Sequence, residues 1–297
     1  AAPPTRGSAS AARRAGNLGT LDLAEDAALP MQSLWWVVPL LLSLLIGAMA
    51  PLAGALLLVQ RRLFLANLIS HAVLPGLALA LALRLDPALG GVLSGVAGAL
   101  LAERLSQPER PGQPGDEAVI NTVLAGFLGL GVLLIPLLGI RLNLEAVLFG
   151  DLLAAAPQDL WRSLLALLAL LALLRWRYCE YVYLGVDPLG AASAGLPVRR
   201  LRLLLTLITA FTVVSAMTAV GVVLVIALMG APALLALQGA RSLRQTLCRA
   251  AALGMAISGG GFALALQPAV NLPPGPLIGV LCLVLLPFSV SRSSANP

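Results

Sequence analysis

The apolar run WWVVPLLLSLLIGAMAPLAGALLLV, residues 35–59, contains no charged side chain. In a helix it rises about 37 Å, which is enough to cross a hydrocarbon core about 30 Å thick. Comparable runs recur along the chain, which is 59% hydrophobic and only 11% charged, whereas soluble domains are about a quarter charged. The sequence therefore predicts an all-α, polytopic bundle of transmembrane helices, because a helix satisfies its own backbone hydrogen bonds in lipid.

The apolar runs predict about eight to nine spans, and residues 31–297 are expected to form one transmembrane domain. Residues 1–30 are small, polar and aperiodic, which indicates a disordered tail or a start assigned too far upstream of Met31. The predicted spans are roughly 35–59, 63–84, 88–105, 117–139, 159–176, 199–217, 219–238, 249–267 and 274–292.

All 19 basic residues are arginine. With nine spans, thirteen arginines fall on the side of residues 183–200 and three on the other, leaving the tail aside. This asymmetry predicts a cytoplasmic 183–200 segment, an external N-terminus and a cytoplasmic C-terminus. Because the arginines lie between apolar runs, the net charge of +6 does not favour nucleic-acid binding. The absence of lysine excludes a P-loop, so ATP is not hydrolysed here by that route.

The segment RRLFLANLISHAVLPG, residues 61–76, contains the only histidine of the chain, His71. The histidine is ten residues past Arg61, so it lies about 15 Å into the membrane. Asn67 is one turn earlier on the same helix face. Polar side chains at that depth usually face a cavity or the bundle interior. Position alone leaves three alternatives for His71: an interhelical hydrogen bond, metal or proton handling, or catalysis.

Catalysis is the weakest of these alternatives. Ser70 is adjacent to His71, and adjacent helical side chains point about 100° apart, so they do not form a nucleophile–base pair. Pro75 and Gly76 can break or kink the helix and free backbone carbonyls toward a pathway. A kink that serves packing alone is the other interpretation.

Other features are compatible with a compact bundle. Gly91 with Gly95, and Gly126 with Gly131 nearby, are spaced for close helix packing. Glu117 stands at the start of the fourth span, where the helix dipole favours an acid, although a cation exit site is the alternative. A short helix or re-entrant piece is expected near Asp151.

Taken together, these segments resemble a family, the membrane permeases of bacterial zinc, manganese and iron ABC importers. The family's signature SHAVLPG stands at residues 70–76, and six further blocks follow in the same order. They are DEAVINTVLAGFLGLGVLLI (116–135), LEAVLFGDLLAAAPQDL (144–160), VDPLGAASAGLPVRRLRLLLTL (186–207), AVGVVLVIALMGAPALLA (219–236), ARSLRQTLCRAAALGMAISGGG (240–261) and LPPGPLIGVL (272–281).

The resemblance implies a type II ABC-importer-like permease in the bacterial plasma (inner) membrane. It implies transport of a divalent transition metal (Zn, Mn or Fe) as substrate, with no permanently bound cofactor and no enzymatic activity. The implied partners are an ATP-binding cassette ATPase subunit, an extracytoplasmic metal-binding protein and a second copy of the chain. Zinc, manganese and iron share ligand types, so the resemblance implies the class of metal only.

The resemblance also implies residue roles. His71 matches a histidine that lines the family's metal pathway, and Asn67 stands where the family has an acid. Glu117 matches an acid of the fourth span and can supply the charge that Asn67 lacks. The segment near residues 187–196 corresponds to the helix that couples the permease to the ATPase. Its candidate residues are Asp187, Pro188, Gly190, Ala191, Gly195 and Leu196.

A neighbouring class, the permeases for metal chelates such as siderophores or cobalamin, is the alternative. Those proteins usually have ten spans and a wide pathway that does not depend on histidine, whereas the sequence blocks favour the metal-ion family.

Overall fold

The computed structural model describes residues 36–105, 115–140, 144–268 and 272–293, and this part of the chain is helical without a β-strand. The predicted all-α fold is confirmed, and the predicted tail lies outside the described residues. The helices are α1 Val37–Val59, α2 Leu63–Ala82, α3 Pro87–Leu105, α4 Gly115–Leu137, α5 Leu144–Phe149, α6 Pro157–Val186, α7 Pro188–Ser193, α8 Val198–Val220, α9 Val222–Leu237, α10 Leu243–Ala265 and α11 Pro274–Ser293.

Seven described helices are long and apolar enough to cross a membrane: α1, α2, α3, α4, α6, α8 and α10. Two shorter apolar stretches accompany them, Val222–Leu237 in α9 and Pro274–Pro287 in α11. These nine helices correspond one to one to the nine predicted runs. Only α9 is clearly short, since its 16 residues rise about 24 Å.

Helix α6 differs most from the prediction, because it ends at Val186 and not near residue 176. Its backbone leaves helical geometry only at Arg177 (φ −121°, ψ 20°), where the helix kinks and continues. The sequence signal for the continuation is amphipathic and not apolar: Tyr181 and Leu184 are buried, whereas Tyr183 and Val186 are exposed. A search for apolar runs misses such a segment.

The turn between α8 and α9 lies at Gly221, whose φ of +79° favours glycine. A Cβ atom on Gly221 would lie 2.4 Å from the carbonyl carbon of Phe149, so the end of α5 packs directly against this turn. The short helix expected near Asp151 is confirmed by α5 and by the 3-10 turn Leu152–Ala154. The Asp151 carboxylate caps that turn, accepting hydrogen bonds from two of its backbone N–H groups.

Helix α1 runs through the centre of the bundle and contacts α10 backbone to backbone. A Cβ on Gly254 would lie 2.1 Å from the carbonyl oxygen of Gly47. One turn away, the Ser258 hydroxyl donates to the Ser43 carbonyl at 2.6 Å. In a membrane, small residues and interhelical hydrogen bonds of this kind hold helices together, because lipid offers no hydrophobic drive between them.

The glycines predicted to pack between helices divide into two groups. A Cβ on Gly91 or Gly131 would lie within 3 Å of an α2 side chain, and one on Gly95 would lie 3.2 Å from Ile69. A Cβ on Gly126, in contrast, would meet no atom of another helix within 4 Å. Gly126 therefore lies on a face of α4 that the described part of the chain leaves uncovered.

Candidate functional site

Asn67 and His71 lie one turn apart on α2 and are both partly exposed, whereas Leu68, Ile69 and Ser70 between them are buried. The Nδ1 atom of His71 is buried and has no hydrogen-bond partner among the described residues. This favours an imidazole held for a ligand over one satisfied by a neighbouring helix, because an unpaired buried polar atom is costly.

Ser70 takes no part in this site. Its hydroxyl donates to the carbonyl of Ala66 at 2.9 Å, within the same helix. Ser70 and His71 therefore do not form a nucleophile–base pair, which agrees with the prediction from the sequence.

Helix α2 passes through Pro75 without a break. Proline has no N–H group, so the carbonyl of His71, four residues earlier, lacks its ordinary helical partner. Gly76 and Gly131 pack closely around this point: their Cβ atoms would lie 2.0 Å from the Gly90 oxygen and 2.6 Å from the Leu74 Cβ. The tight packing supports the interpretation that Pro75 serves helix packing; that the freed carbonyl faces a pathway stays a prediction.

A cavity of about 260 Å³ separates the first turns of α2 from the middle of α9. Asn67 is the only amide among its lining residues, which are Leu63, Phe64, Ala66, Asn67, Ile226, Met229 and Gly230. Sequence reasoning missed α9 as a wall of this cavity. The residues that could have indicated it are Met229 and Gly230, which follow the mostly branched apolar residues 222–228.

Glu117 is exposed near the start of α4 and lies apart from His71. Successive helices alternate in direction, so α2 and α4 run the same way, and Gly131 contacts Leu74. Glu117 precedes Gly131 by 14 residues and His71 precedes Leu74 by 3. At 1.5 Å per residue the two side chains differ in level by about 16 Å. The structure therefore does not bring them into one ligand set, and the described residues contain no group of three or more His, Cys, Asp or Glu able to hold a metal.

The predicted coupling segment contains a short helix, α7. Its first turn is capped by Asp187, whose carboxylate accepts a hydrogen bond from the Gly190 N–H at 2.8 Å. Pro188 occupies the first helical position, where its missing N–H costs nothing. A Cβ on Gly190 would lie 2.2 Å from the Asp187 carboxylate, so a larger residue there would force this side chain to shift.

The end of α7 is equally well defined. Gly195 has a φ of +80°, and the Leu196 N–H donates to the Ala191 carbonyl at 3.1 Å, which closes the helix with a left-handed C-terminal turn. Ala191 is fully buried, whereas Leu189 is 70% exposed. One side of α7 is thus anchored to the bundle and the other is open.

The chain is similar to known membrane transport proteins over most of its length. The ABC 3 transport family matches residues 34–292. The manganese transport system membrane protein MntC of Halalkalibacterium halodurans is 31% identical over 214 residues, covering 72% of each chain. The probable iron transport system membrane protein of Haemophilus influenzae is 28% identical over 229 residues, covering 77% of this chain and 83% of that protein. The structure of PsaBC from Streptococcus pneumoniae in complex with Fab matches with a TM-score of 0.76 and 25% identity, covering 89% of this chain and 95% of that chain.

The family match spans nearly all of the described structure, and the apolar helices make the chain a multi-pass protein of the bacterial plasma membrane. Relatives of this type are membrane components of transport systems and not enzymes. The chain belongs to the ABC 3 transport family and is the permease subunit of a metal ABC transporter.

Proposed function

We propose that this permease imports a divalent transition metal into the cytoplasm, with Mn²⁺ the first choice among zinc, manganese and iron. Manganese is favoured because the relative from Halalkalibacterium halodurans is a manganese transport protein. A separate ATP-binding cassette ATPase powers the transport, since this chain has no lysine for a P-loop. An extracytoplasmic metal-binding protein delivers the ion, and two copies of the chain form the pathway.

The observation that carries the proposal is the unpaired, buried Nδ1 of His71. Neutral imidazole is a good ligand for divalent transition metals. The freed His71 carbonyl and the Asn67 amide can add oxygen ligands on the same side of α2. Because Asn67 carries no charge, the ion is held weakly, which suits a site that must release it.

Glu117 acts at a separate step. Its level, about 16 Å from His71 along the helices, is that of the arginine-rich end of the bundle. A carboxylate there provides an exit site at the cytoplasmic end of the pathway. Replacement of Glu117 by Gln without loss of transport would contradict this role.

Helix α7, within residues 187–196, docks into a groove of the ATPase. The exposed Leu189 and the small residues around it allow close contact with the partner. Arg199, Arg200 and Arg202 follow at the start of α8 and anchor the exit from the segment at the membrane surface.

The test is cellular metal content measured by elemental mass spectrometry. Cells lacking their own importers would express the permease with its ATPase and binding protein, as wild type, as His71→Ala and as Ser70→Ala. Ser70 is a matched control because its hydroxyl bonds only within the helix. We expect manganese to rise with wild type and with Ser70→Ala, and not with His71→Ala at equal membrane abundance.

A permease for a metal chelate is the second candidate. The unpartnered Nδ1 of His71 favours a bare ion, because the metal in a chelate already has its ligand positions filled by the chelator. Uptake of a ferric siderophore or cobalamin, with no rise in any free metal, would reverse this preference.

A further inference from the structure

The last part of α6, residues 178–186, extends beyond the membrane. Twenty residues from Pro157 to Trp176 already rise about 30 Å, the thickness of the hydrocarbon core. Arg175, Trp176 and Arg177 then stand exposed where the helix kinks. We call residues 178–186 the α6 extension; it leads directly into Asp187 and α7.

Two tyrosine hydroxyls tie the α6 extension to two other helices. The Tyr181 hydroxyl donates to the Leu201 carbonyl in the first turn of α8 at 2.8 Å, and this side chain is 1% exposed. The Tyr178 hydroxyl accepts from the backbone N–H of Arg244 in the first turn of α10 at 2.9 Å. The first N–H groups of a helix have no partner within it, so Tyr178 satisfies a donor that α10 cannot.

Both helices lead from these bonds toward the candidate pathway. Helix α10 packs on α1 with no free space at Gly254 and Gly47, so it transmits a displacement instead of absorbing it. Helix α8 continues through Gly221 into α9, which lines the cavity at Asn67. In contrast, the backbone at Arg177 departs from helical geometry and can act as a hinge between the α6 extension and the span.

We infer that Tyr178 and Tyr181 are positioning residues that transmit movement of α7 to α10 and α8, and so couple ATP hydrolysis to opening of the pathway. The inference rests on the proposed function, because it assigns the route by which the ATPase acts on this permease. A displacement of α7 moves the α6 extension about Arg177, and the two hydroxyls carry that motion to the bundle.

The test compares Tyr178→Phe, Tyr181→Phe and Tyr183→Phe, each of which removes only a hydroxyl. Tyr183 lies in the same segment and is 40% exposed. Its hydroxyl has no hydrogen bond in the described part of the chain and lies beside Gly190 of α7, so it controls for loss of a hydroxyl near α7 that bonds to neither α8 nor α10. The complete complex of permease, ATPase and binding protein would be reconstituted in vesicles. The measurement is the number of Mn²⁺ ions taken up per ATP hydrolysed.

We expect Tyr178→Phe and Tyr181→Phe each to lower this ratio by about fivefold, the factor that corresponds to one hydrogen bond of ordinary strength. Tyr183→Phe should leave it at the wild-type value. A purely structural role would lower the abundance or thermal midpoint of the complex without changing the ratio. Unchanged ratios in both variants overturn the inference, and a fall in only one overturns its two-helix form.

The failure of the proposed function is a separate result, since wild-type vesicles would then take up no Mn²⁺. If a variant does not accumulate, hydrogen exchange in the wild-type complex provides the second measurement. Exchange at the Arg244 amide should differ between nucleotide-free and nucleotide-trapped complexes. Equal exchange in the two states would overturn the inference.

Discussion

The separation between His71 and Glu117 makes a quantitative prediction about transport. The two side chains differ in level by about 16 Å, whereas Asn67 and His71 differ by about 6 Å along one helix. Substitutions more than about 10 Å apart usually have additive free-energy effects, whereas those that share a ligand do not. A double-mutant comparison therefore distinguishes one coordination site from two.

The perturbations are His71→Gln, Glu117→Gln and Asn67→Ala, singly and in pairs with His71→Gln. Glutamine at position 71 keeps a polar side chain, so residual transport remains measurable. Independent sites add within about 0.5 kcal/mol, which corresponds to about a twofold factor in rate. The His71–Glu117 double variant should thus show the product of the two single effects within about twofold.

The Asn67–His71 pair should behave differently. Both side chains are assigned to one site, so once His71 is replaced, loss of Asn67 should cost less than it does in wild type. The deviation from the product should exceed about twofold, because neighbouring ligands couple by about 0.5–3 kcal/mol.

The assay is the initial rate of Mn²⁺ uptake into vesicles that contain the complete complex, at equal protein content. If the His71–Glu117 double variant is no slower than the slower single variant, the two residues act in one site and the helical-rise argument is wrong. If the Asn67–His71 pair is strictly multiplicative, Asn67 is not a ligand alongside His71.

Three further predictions concern the scaffold. Gly254→Ala should lower the thermal midpoint of the purified permease, because its Cβ would lie 2.1 Å from a backbone oxygen. A Cβ at Gly126 meets open space, so Gly126→Ala should leave the midpoint unchanged or raise it. Equal midpoints for the two variants would contradict the packing assigned to Gly254. Gly221→Ala should destabilise more than Gly139→Ala in the same assay. Both glycines have positive φ, but Gly221 also has a ψ of 163°, in a region open essentially only to glycine, and a Cβ there would clash with Phe149. Asp187→Ala should loosen α7 by about 1 kcal/mol, whereas Asp187→Asn keeps the cap; hydrogen exchange at the Gly190 amide measures this, and equal exchange in the two variants would refute the capping role.

The sequence predicts a helix of this chain best where the helix coincides with a long, uninterrupted apolar run. The run that becomes α1 lacks charges and is predicted to within two residues, since its boundaries coincide with the ends of the apolar sequence. The α6 extension is not predicted, because its sequence is amphipathic. Its helical structure depends on the burial of Tyr181 and Leu184 against other helices. The short helix near Asp151 and the helix within residues 187–196 are expected and are present.

The candidate site also has one part that the sequence predicts and another that only helix packing decides. Asn67 and His71 share a face because they are four residues apart on one helix, which sequence alone determines. That Nδ1 of His71 lacks a partner among the described residues depends on which helices surround α2, and only the packing shows it. The sequence alone could not predict how far Glu117 lies from Asn67 and His71 along the pathway, because their relative depth depends on which residues of α2 and α4 are in contact.

The sequence by itself determined the membrane location, the helical class, the order of the spans and the lone imidazole at mid-depth. These properties depend on hydrophobicity and on the fixed rise of the helix, which are local. Tertiary structure alone decided that α9 lines the cavity beside Asn67, that Glu117 and His71 differ in level by about 16 Å along the helices, and that two tyrosines join α6 to α8 and α10. These depend on contacts between residues far apart in the chain, where backbone approach at Gly47, Gly254 and Gly131 sets which atoms meet.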